Sequence, residues 1–259
     1  MKIRIYSEDS LLLPILKELP KTFEKGQLLF NGRNEIRRFD INGLDLVAKR
    51  YKRHDCFKQI VYSFFRKNKA RRSYENAQEL RRRGYVTPRE IAYIECWEHG
   101  LIKQVYYLCE FTDAKAIRPE LIDRDPFNRE LATAYAQYVA TLHETGVLHR
   151  DLNPTNVLFA RNEKCAVERE APYCFQLIDI NRMQFFDSAV PKAACMENLT
   201  LFWWLTDVYR YVLQVYADSR HWTADDIQEA VRVKERHDRR WIRRKNFTAI
   251  FKHKKLKTR

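Results

Sequence analysis

The sequence predicts an α+β chain in two parts, a strand-rich first part with one helix over residues 1–111 and a mostly helical second part over residues 112–259. Three observations predict it. Short β-branched and aromatic runs alternate with turn residues between Gln27 and Phe111, the pattern of paired strands. One stretch of helix formers, Ala70–Arg83, interrupts them. After Thr112–Pro119 the composition changes, and apolar residues take up three- and four-residue spacing, which marks amphipathic helix.

Gln27–Phe30 reads as a strand, Asn31–Asn34 as a turn and Glu35–Ile41 as the returning strand. Asn42-Gly43 makes a tight hairpin into a third strand, Leu44–Tyr51, because a two-residue Asn-Gly loop matches the twist of the strands it joins. Gly84, with Pro88 behind it, supplies the stop signal for the helix. Glu90–Glu98 and Leu101–Phe111 read as two further strands around His99-Gly100. In the second part, Leu131, Ala134, Tyr135, Tyr138, Val139 and Leu142 share one helical face, and Gly146 ends that helix. The role of Met1–Leu19 stays open, and a Lys/Arg-rich tail closes the sequence.

With 45% hydrophobic residues over 259 positions, the chain can bury a full core and is not disordered. Its formal charge of +14 favours anionic partners: phosphates, nucleic acid or acidic lipid headgroups. The six cysteines form no C-x-x-C pair, which argues against a zinc site or a disulfide framework and fits reduced thiols in a cytosol. The apolar stretch Leu11–Leu16 is short and interrupted by Pro14, so neither a signal peptide nor a spanning helix is expected and any membrane contact is peripheral.

The sharpest chemical signal is His149-Arg150-Asp151-Leu152-Asn153-Pro154-Thr155-Asn156, between the amphipathic helix and the apolar strand Val157–Phe159. It matches the kinase pattern H-R-D-L-x-x-x-N at every fixed position. A loop there can aim Asp151 at a substrate hydroxyl, as catalytic base, while Asn156 offers a neutral oxygen to magnesium. Farther on, Gln176-Leu177-Ile178-Asp179-Ile180-Asn181-Arg182 is an apolar strand ending in an acid, the place where a second magnesium-binding carboxylate, Asp179, meets phosphate oxygens.

Lys49, in Leu46-Val47-Ala48-Lys49 on the third expected strand, suits an ammonium reaching the α- and β-phosphates of ATP. A helix acid should hold it, with Glu75 the first choice and Glu79 the reserve, since the two are four residues apart on one face. The turn Asn31-Gly32-Arg33-Asn34 has a single glycine where protein kinases have three, so Arg33 is expected to supply charge in place of backbone amides. Leu108–Thr112 falls between the two parts as a hinge, where backbone groups of Glu110 and Thr112 would meet the adenine edge.

On these residues the sequence resembles the lipopolysaccharide core kinases, the Kdo and heptose kinase branch of the bilobal protein-kinase-like fold, from Leu28 to about Tyr216. Asp179-Ile180-Asn181-Arg182 is similar to the Asp-Leu/Ile-polar-Arg arrangement of that branch, where protein kinases carry Asp-Phe-Gly. No Ala-Pro-Glu element occurs between Phe185 and Asn198, so a peptide-docking platform is not expected. The resemblance implies ATP and Mg2+ as cofactors. It also implies a Kdo-lipid A-like lipopolysaccharide precursor as acceptor, and work in the cytoplasm at the anionic inner face of the inner membrane. The tail, Trp241-Ile242-Arg243-Arg244-Lys245 and Phe247–Arg259, mixes aromatic and basic residues as surface-seated segments do; a solvated basic terminus is the equal alternative.

A protein serine/threonine kinase or a small-molecule kinase would keep the same residues and differ in acceptor. A basic pseudokinase or RNA-binding scaffold would let the set decay, whereas Lys49, Asp151, Asn156 and Asp179 are all present. No nucleic-acid motif is visible, so no nucleic-acid partner is expected.

Overall fold

A six-stranded antiparallel sheet organises the first part of the chain, and its strands are β1 (Lys2–Tyr6), β2 (Gln27–Asn31), β3 (Glu35–Ile41), β4 (Leu44–Arg50), β5 (Glu90–Glu98) and β6 (Leu101–Glu110), in the order β1-β5-β6-β4-β3-β2. The computed structural model describes residues 1–41, 43–53, 55–161 and 172–257. Two compact units emerge, Met1–Ala114 with Gln176–Arg182, and Lys115–Phe175 with Met183–Arg259. The return of Gln176–Arg182 to the first unit is not visible in a linear division near residue 111.

The β3–β4 hairpin runs in register from Glu35 opposite Arg50 to Ile41 opposite Leu44. Gly43 has φ +79°, a left-handed backbone that glycine adopts without a Cβ clash; Asn42 lies outside the described residues. Along β5 seven successive residues, Glu90 to Cys96, are buried, as a strand covered on both faces requires.

One cover is a helix at the start of the chain, α1 (Leu13–Thr22). Leu12, Leu16, Leu19 and Phe23 recur at helical spacing and pack with Leu46, Ala48, Ile91, Ile94 and Leu108. Pro14 stands in its first turn, where a missing N–H costs nothing, so it starts this helix instead of breaking the apolar stretch. The open N-terminal segment is thus a strand and a core helix.

Two further helices belong to this unit, so the single expected helix becomes three. Asp55 caps α2 (Cys56–Phe64) by accepting the Lys58 N–H at 2.9 Å. Asn68 caps α3 (Lys69–Arg82) by accepting the Arg71 N–H at 3.0 Å. Gly84, φ +79°, follows the end of α3. Ala70 and Tyr74 of α3 pack with Tyr51, Tyr93, Val105 and Tyr107 of the sheet.

The second unit is mostly helical. Its helices are α4 (Arg118–Leu121), α5 (Arg129–Glu144), α6 (Lys192–Leu199), α7 (Asp207–Ser219) and α8 (Ala224–Lys257), with short strands β7 (Lys115–Ala116), β8 (Val147–His149), β9 (Val157–Arg161), β10 (Tyr173–Leu177, whose last two residues belong to the first unit) and β11 (Met183–Phe185). On α5, Leu131, Tyr135, Val139 and Leu142 are buried together with Ala132, Ala136, Ala140 and His143. The basic tail continues one long helix, α8, instead of forming a separate extension. Cys96, Cys109 and Cys195 are free thiols, whereas Cys174 is disulfide-bonded, contrary to the expectation of reduced thiols throughout.

Candidate active site

In the second unit the His149–Asn156 loop leaves β8, which pairs antiparallel with β11 so that His149 faces Met183. His149 is buried, and its Nδ1 accepts the Asp151 N–H at 3.1 Å. Its carbonyl accepts from Asn198 Nδ2 at 2.9 Å. The Asn198 carbonyl oxygen in turn lies 3.0 Å from His143 Nε2, and His143 Nδ1 lies 2.8 Å from the Tyr216 hydroxyl. An amide oxygen only accepts, so His143 carries its proton on Nε2 and accepts from Tyr216. Burial pushes the His143 imidazole down to about 4, so it is neutral in this network.

Above that anchor the loop is tied by its own side chains. Asn156 Nδ2 donates to the Asp151 carbonyl at 2.9 Å, and the Asn156 N–H bonds the Asn153 carbonyl at 2.9 Å. Asn153 Nδ2 lies 3.3 Å from Asp151 Oδ1, while Leu152 is buried beneath. Asp151 and Asn156 themselves remain half-exposed. Using the Asn156 nitrogen for the backbone leaves its oxygen as the atom suited to a hard cation.

In the first unit, Lys49 Nζ lies 2.9 Å from Asp179 Oδ1, with the two side chains 14% and 30% exposed. Leu177 N–H bonds the Val86 carbonyl at 3.1 Å and Thr87 Oγ1 donates to the Leu177 carbonyl at 2.8 Å, which fastens the approach to Asp179. Asp179 has φ +53°, a conformation uncommon for a residue with a side chain and concentrated at functional positions. Asn181 Nδ2 donates to the same Oδ1 at 2.6 Å.

The helix acids expected beside Lys49 are elsewhere. Glu75 is paired with Lys67 at 2.8 Å and Arg71 at 2.9 Å, and Glu79 with Arg82 at 2.7 Å and Arg83 at 2.6 Å. The Arg82 hydrogen bond holds the Glu79 carboxyl down to about 2. Asn76 of α3 reaches the Asp179 segment, and its Nδ2 donates to the Ile180 carbonyl at 2.7 Å. Lys69, Arg72 and Ser73 share the Asn76 side of α3 by their spacing of seven, four and three residues, whereas Glu75 stands about 100° round the helix.

That face is cationic. Lys49 Nζ and Lys69 Nζ both approach the buried Tyr51 ring, at 5.3 Å and 6.0 Å from its centroid, and the Tyr51 hydroxyl meets Ser73 Oγ at 2.8 Å. Burial, with Arg33, Arg182 and Arg72 nearby, pulls the Lys69 ammonium below its usual range against an opposing pull from Asp179. Arg72 Nε is buried and has no hydrogen-bond partner among the described residues. Sequence reading missed Lys69, Arg72 and Asn76; counting from Asn76 along the helical period would have found the other two.

At the expected adenine edge, Leu108, Cys109 and Glu110 are the last residues of β6. The Glu110 N–H bonds the Arg89 carbonyl at 2.8 Å and its carboxylate pairs with Arg89 at 2.7 Å. Thr112 Oγ1 accepts the Ala114 N–H at 3.2 Å. Arg33 is exposed in the β2–β3 turn.

A family model described as "Lipopolysaccharide kinase (Kdo/WaaP) family" matches residues 30–233, well over half of the chain. The chain belongs to the lipopolysaccharide kinase (Kdo/WaaP) family. It is accordingly an ATP-dependent phosphotransferase acting in lipopolysaccharide core biosynthesis. Among solved structures it resembles WaaP in complex with acyl carrier protein, with TM-score 0.60 and 19% identity over 92% of this chain and 98% of that one. A Rio2 kinase–ADP/Mg2+–phosphoaspartate complex from Chaetomium thermophilum matches with TM-score 0.43 and 16% identity over 85% and 75%. No curated protein sequence matches. The kinase-like fold expected for the lipopolysaccharide kinases is therefore the fold of this chain.

Proposed function

We propose that this kinase phosphorylates a sugar hydroxyl of the lipopolysaccharide inner core, on Kdo or a heptose, with Asp151 as catalytic base. The observation that carries the reading is the Lys49–Asp179 pair, two residues 130 positions apart joined at 2.9 Å. A lysine and a carboxylate so placed are the groups that phosphoryl transfer needs on the nucleotide side. The first unit would bind the nucleotide, and the second would supply the base.

Asp151 orients the sugar hydroxyl and accepts its proton as the new P–O bond forms, while the γ-phosphoryl group leaves ADP. Its backbone, fixed by His149 and Asn156, spares the reorientation that a loose loop would require. Asn156 and Asp179 would hold magnesium, which when bound supplies positive charge to the phosphate oxygens; both offer the hard oxygen donors that it prefers. Lys49 takes the α- and β-phosphates. Lys69, Arg72 and Arg33 supply the further positive charge that the glycine-poor turn at Asn31–Asn34 lacks in backbone amides.

The acceptor is membrane-embedded and anionic, which the charge of +14 complements. On α8, Trp241, Ile242 and Phe247 are exposed among Arg243, Arg244 and Lys245, a mixture suited to peripheral contact with an acidic leaflet. The WaaP complex makes acyl carrier protein a partner to test here as well.

The test is phosphate transfer from radiolabelled ATP to Kdo-lipid A by the wild type and Asp151→Ala. Label on the lipid with the wild type alone is the expected result. Normal turnover by the variant, or label only on a protein substrate, would overturn the reading.

A further inference from the structure

Helix α2 carries an apolar face that no described residue of its own unit covers. Its inner side is fixed: Gln59 is buried, and Ser63 Oγ accepts the Ile102 N–H at 2.8 Å. On the other side Phe57, Ile60 and Phe64, spaced three and four residues apart on one face, are exposed, Phe57 by 75% and Phe64 by 64%; Phe65, which follows the helix, is 78% exposed. Exposed apolar residues gathered in this way mark an interaction surface.

The surroundings of that face are strongly basic. Between Lys52 and Lys69 the chain has Lys52, Arg53, Lys58, Arg66, Lys67 and Lys69 against the single acid Asp55, and Asp55 is itself paired with Lys58 at 2.6 Å. A cavity of about 270 Å³ beside Phe64 and Phe65 is lined by Arg4, Arg66, Lys67 and Arg71; Lys67 and Arg71 share the half-exposed Glu75 carboxylate at 2.8 Å and 2.9 Å, so four cations face two carboxylates and the site stays net positive. The lining carboxylate, Glu95, is buried and already bonded by Asn68 Nδ2 at 2.6 Å and Trp97 Nε1 at 3.0 Å. The cavity shares Arg4, Phe64 and Trp97 with a wider cleft of about 800 Å³.

We infer that α2 seats this kinase on an acidic membrane, with Phe57, Ile60, Phe64 and Phe65 in the acyl boundary and a lipid headgroup phosphate in the Arg4–Arg66–Lys67–Arg71 cavity. Charge complementarity selects the occupant. Aromatic side chains beside a ring of cations match the boundary between acyl chains and anionic headgroups, and the arginines present planar donors to phosphate oxygens. The inference deepens the membrane-bound acceptor proposed above, yet it concerns binding that needs neither ATP nor acceptor.

The test is sedimentation of the full chain with phosphatidylglycerol/phosphatidylcholine vesicles, compared with pure phosphatidylcholine. The wild type should bind the acidic vesicles at least tenfold more tightly, and Phe57→Ser/Phe64→Ser/Phe65→Ser should lose at least tenfold of that affinity. Arg66→Gln/Lys67→Gln should lose the preference for phosphatidylglycerol while retaining weak binding. Thermal unfolding is expected to stay within a few degrees of wild type, since the replaced groups are exposed. Transfer to detergent-dispersed Kdo-lipid A should continue in the triple variant while transfer to vesicle-embedded acceptor falls. Vesicle binding unaffected by the serine substitutions, no vesicle binding by the wild type, or capture of acyl carrier protein by this face without vesicle binding would each overturn the inference. None of these outcomes bears on the assignment of Asp151, which the Asp151→Ala assay decides.

Discussion

Lys49 is held by Asp179 and not by an acid of α3: its ammonium lies 2.9 Å from Asp179 Oδ1, while Glu75 and Glu79 are each engaged by two other basic residues. This division separates variants that should matter from variants that should not. Lys49→Met is expected to lower kcat/KM by at least about a hundredfold, the scale of removing one charged group from a phosphoryl or oxyanion site. Glu75→Ala and Glu79→Ala remove half-exposed ion pairs, each contributing about 0–1 kcal/mol, so transfer rates should stay within a few-fold of wild type. Steady-state assays of the three variants check this, and severe loss in Glu75→Ala would return the helix acid to the site.

Lys69 should affect nucleotide binding through its charge. Lys69→Gln is expected to weaken ATP more than adenosine in calorimetric titration, and Lys69→Arg to restore most of the loss. Burial and the neighbouring cations depress its ammonium below the usual lysine range, so it loses its proton as pH rises earlier than an exposed lysine does. ATP affinity should therefore fall at alkaline pH in the wild type, and less in Lys69→Arg. An identical pH profile in all three proteins would remove Lys69 from the phosphate site.

His143 links stability to pH. Buried and neutral, it titrates near 4 in the folded chain against 6.5 as its ordinary value. The unfolded chain thus binds more protons between these values, and stability rises with pH across that window. The contribution is complete above about pH 6.5 and lost as pH falls toward 4, on the order of 3 kcal/mol in all. Urea unfolding between pH 4 and 7 should show the slope in the wild type and a flatter one in His143→Gln.

Gly146 closes α5 with φ +76°, and a Cβ there would meet the carbonyl oxygens of Phe186 and Ser188 at 2.5 Å. Backbone strain and a clash with main chain add up in Gly146→Ala, for an expected cost of about 3 kcal/mol. Differential scanning calorimetry should show a melting temperature lower by about 6–12 °C at this chain size.

Much of this protein was legible because the relevant signals are local. The hairpin before Arg50, the α3 stop at Gly84, the period of α5 and the eight residues from His149 to Asn156 each depend on neighbours within a few positions, where backbone preference and side-chain spacing act directly. Elements with weak local propensity were not legible. Helix α2 is built from Phe, Ile, Val and Tyr and depends on the Asp55 cap and on packing against β6, and α1 is a core helix because Leu16, Leu19 and Phe23 find the sheet, something Pro14 obscures in one dimension.

Kinase membership and the family could be read in one dimension, since the His149–Asn156 string and the Asp179 strand are contiguous patterns that require particular residues at fixed spacing. Which side chain holds Lys49, and which face of α3 meets the Asp179 segment, came from long-range packing. Those contacts join residues more than a hundred positions apart, and the angular setting of a packed helix is fixed by what it buries. Asn76 faces the segment, with Lys69 and Arg72 on its side of the helix, because Ala70, Tyr74 and Ala77 must face the core, and that constraint turns Glu75 away.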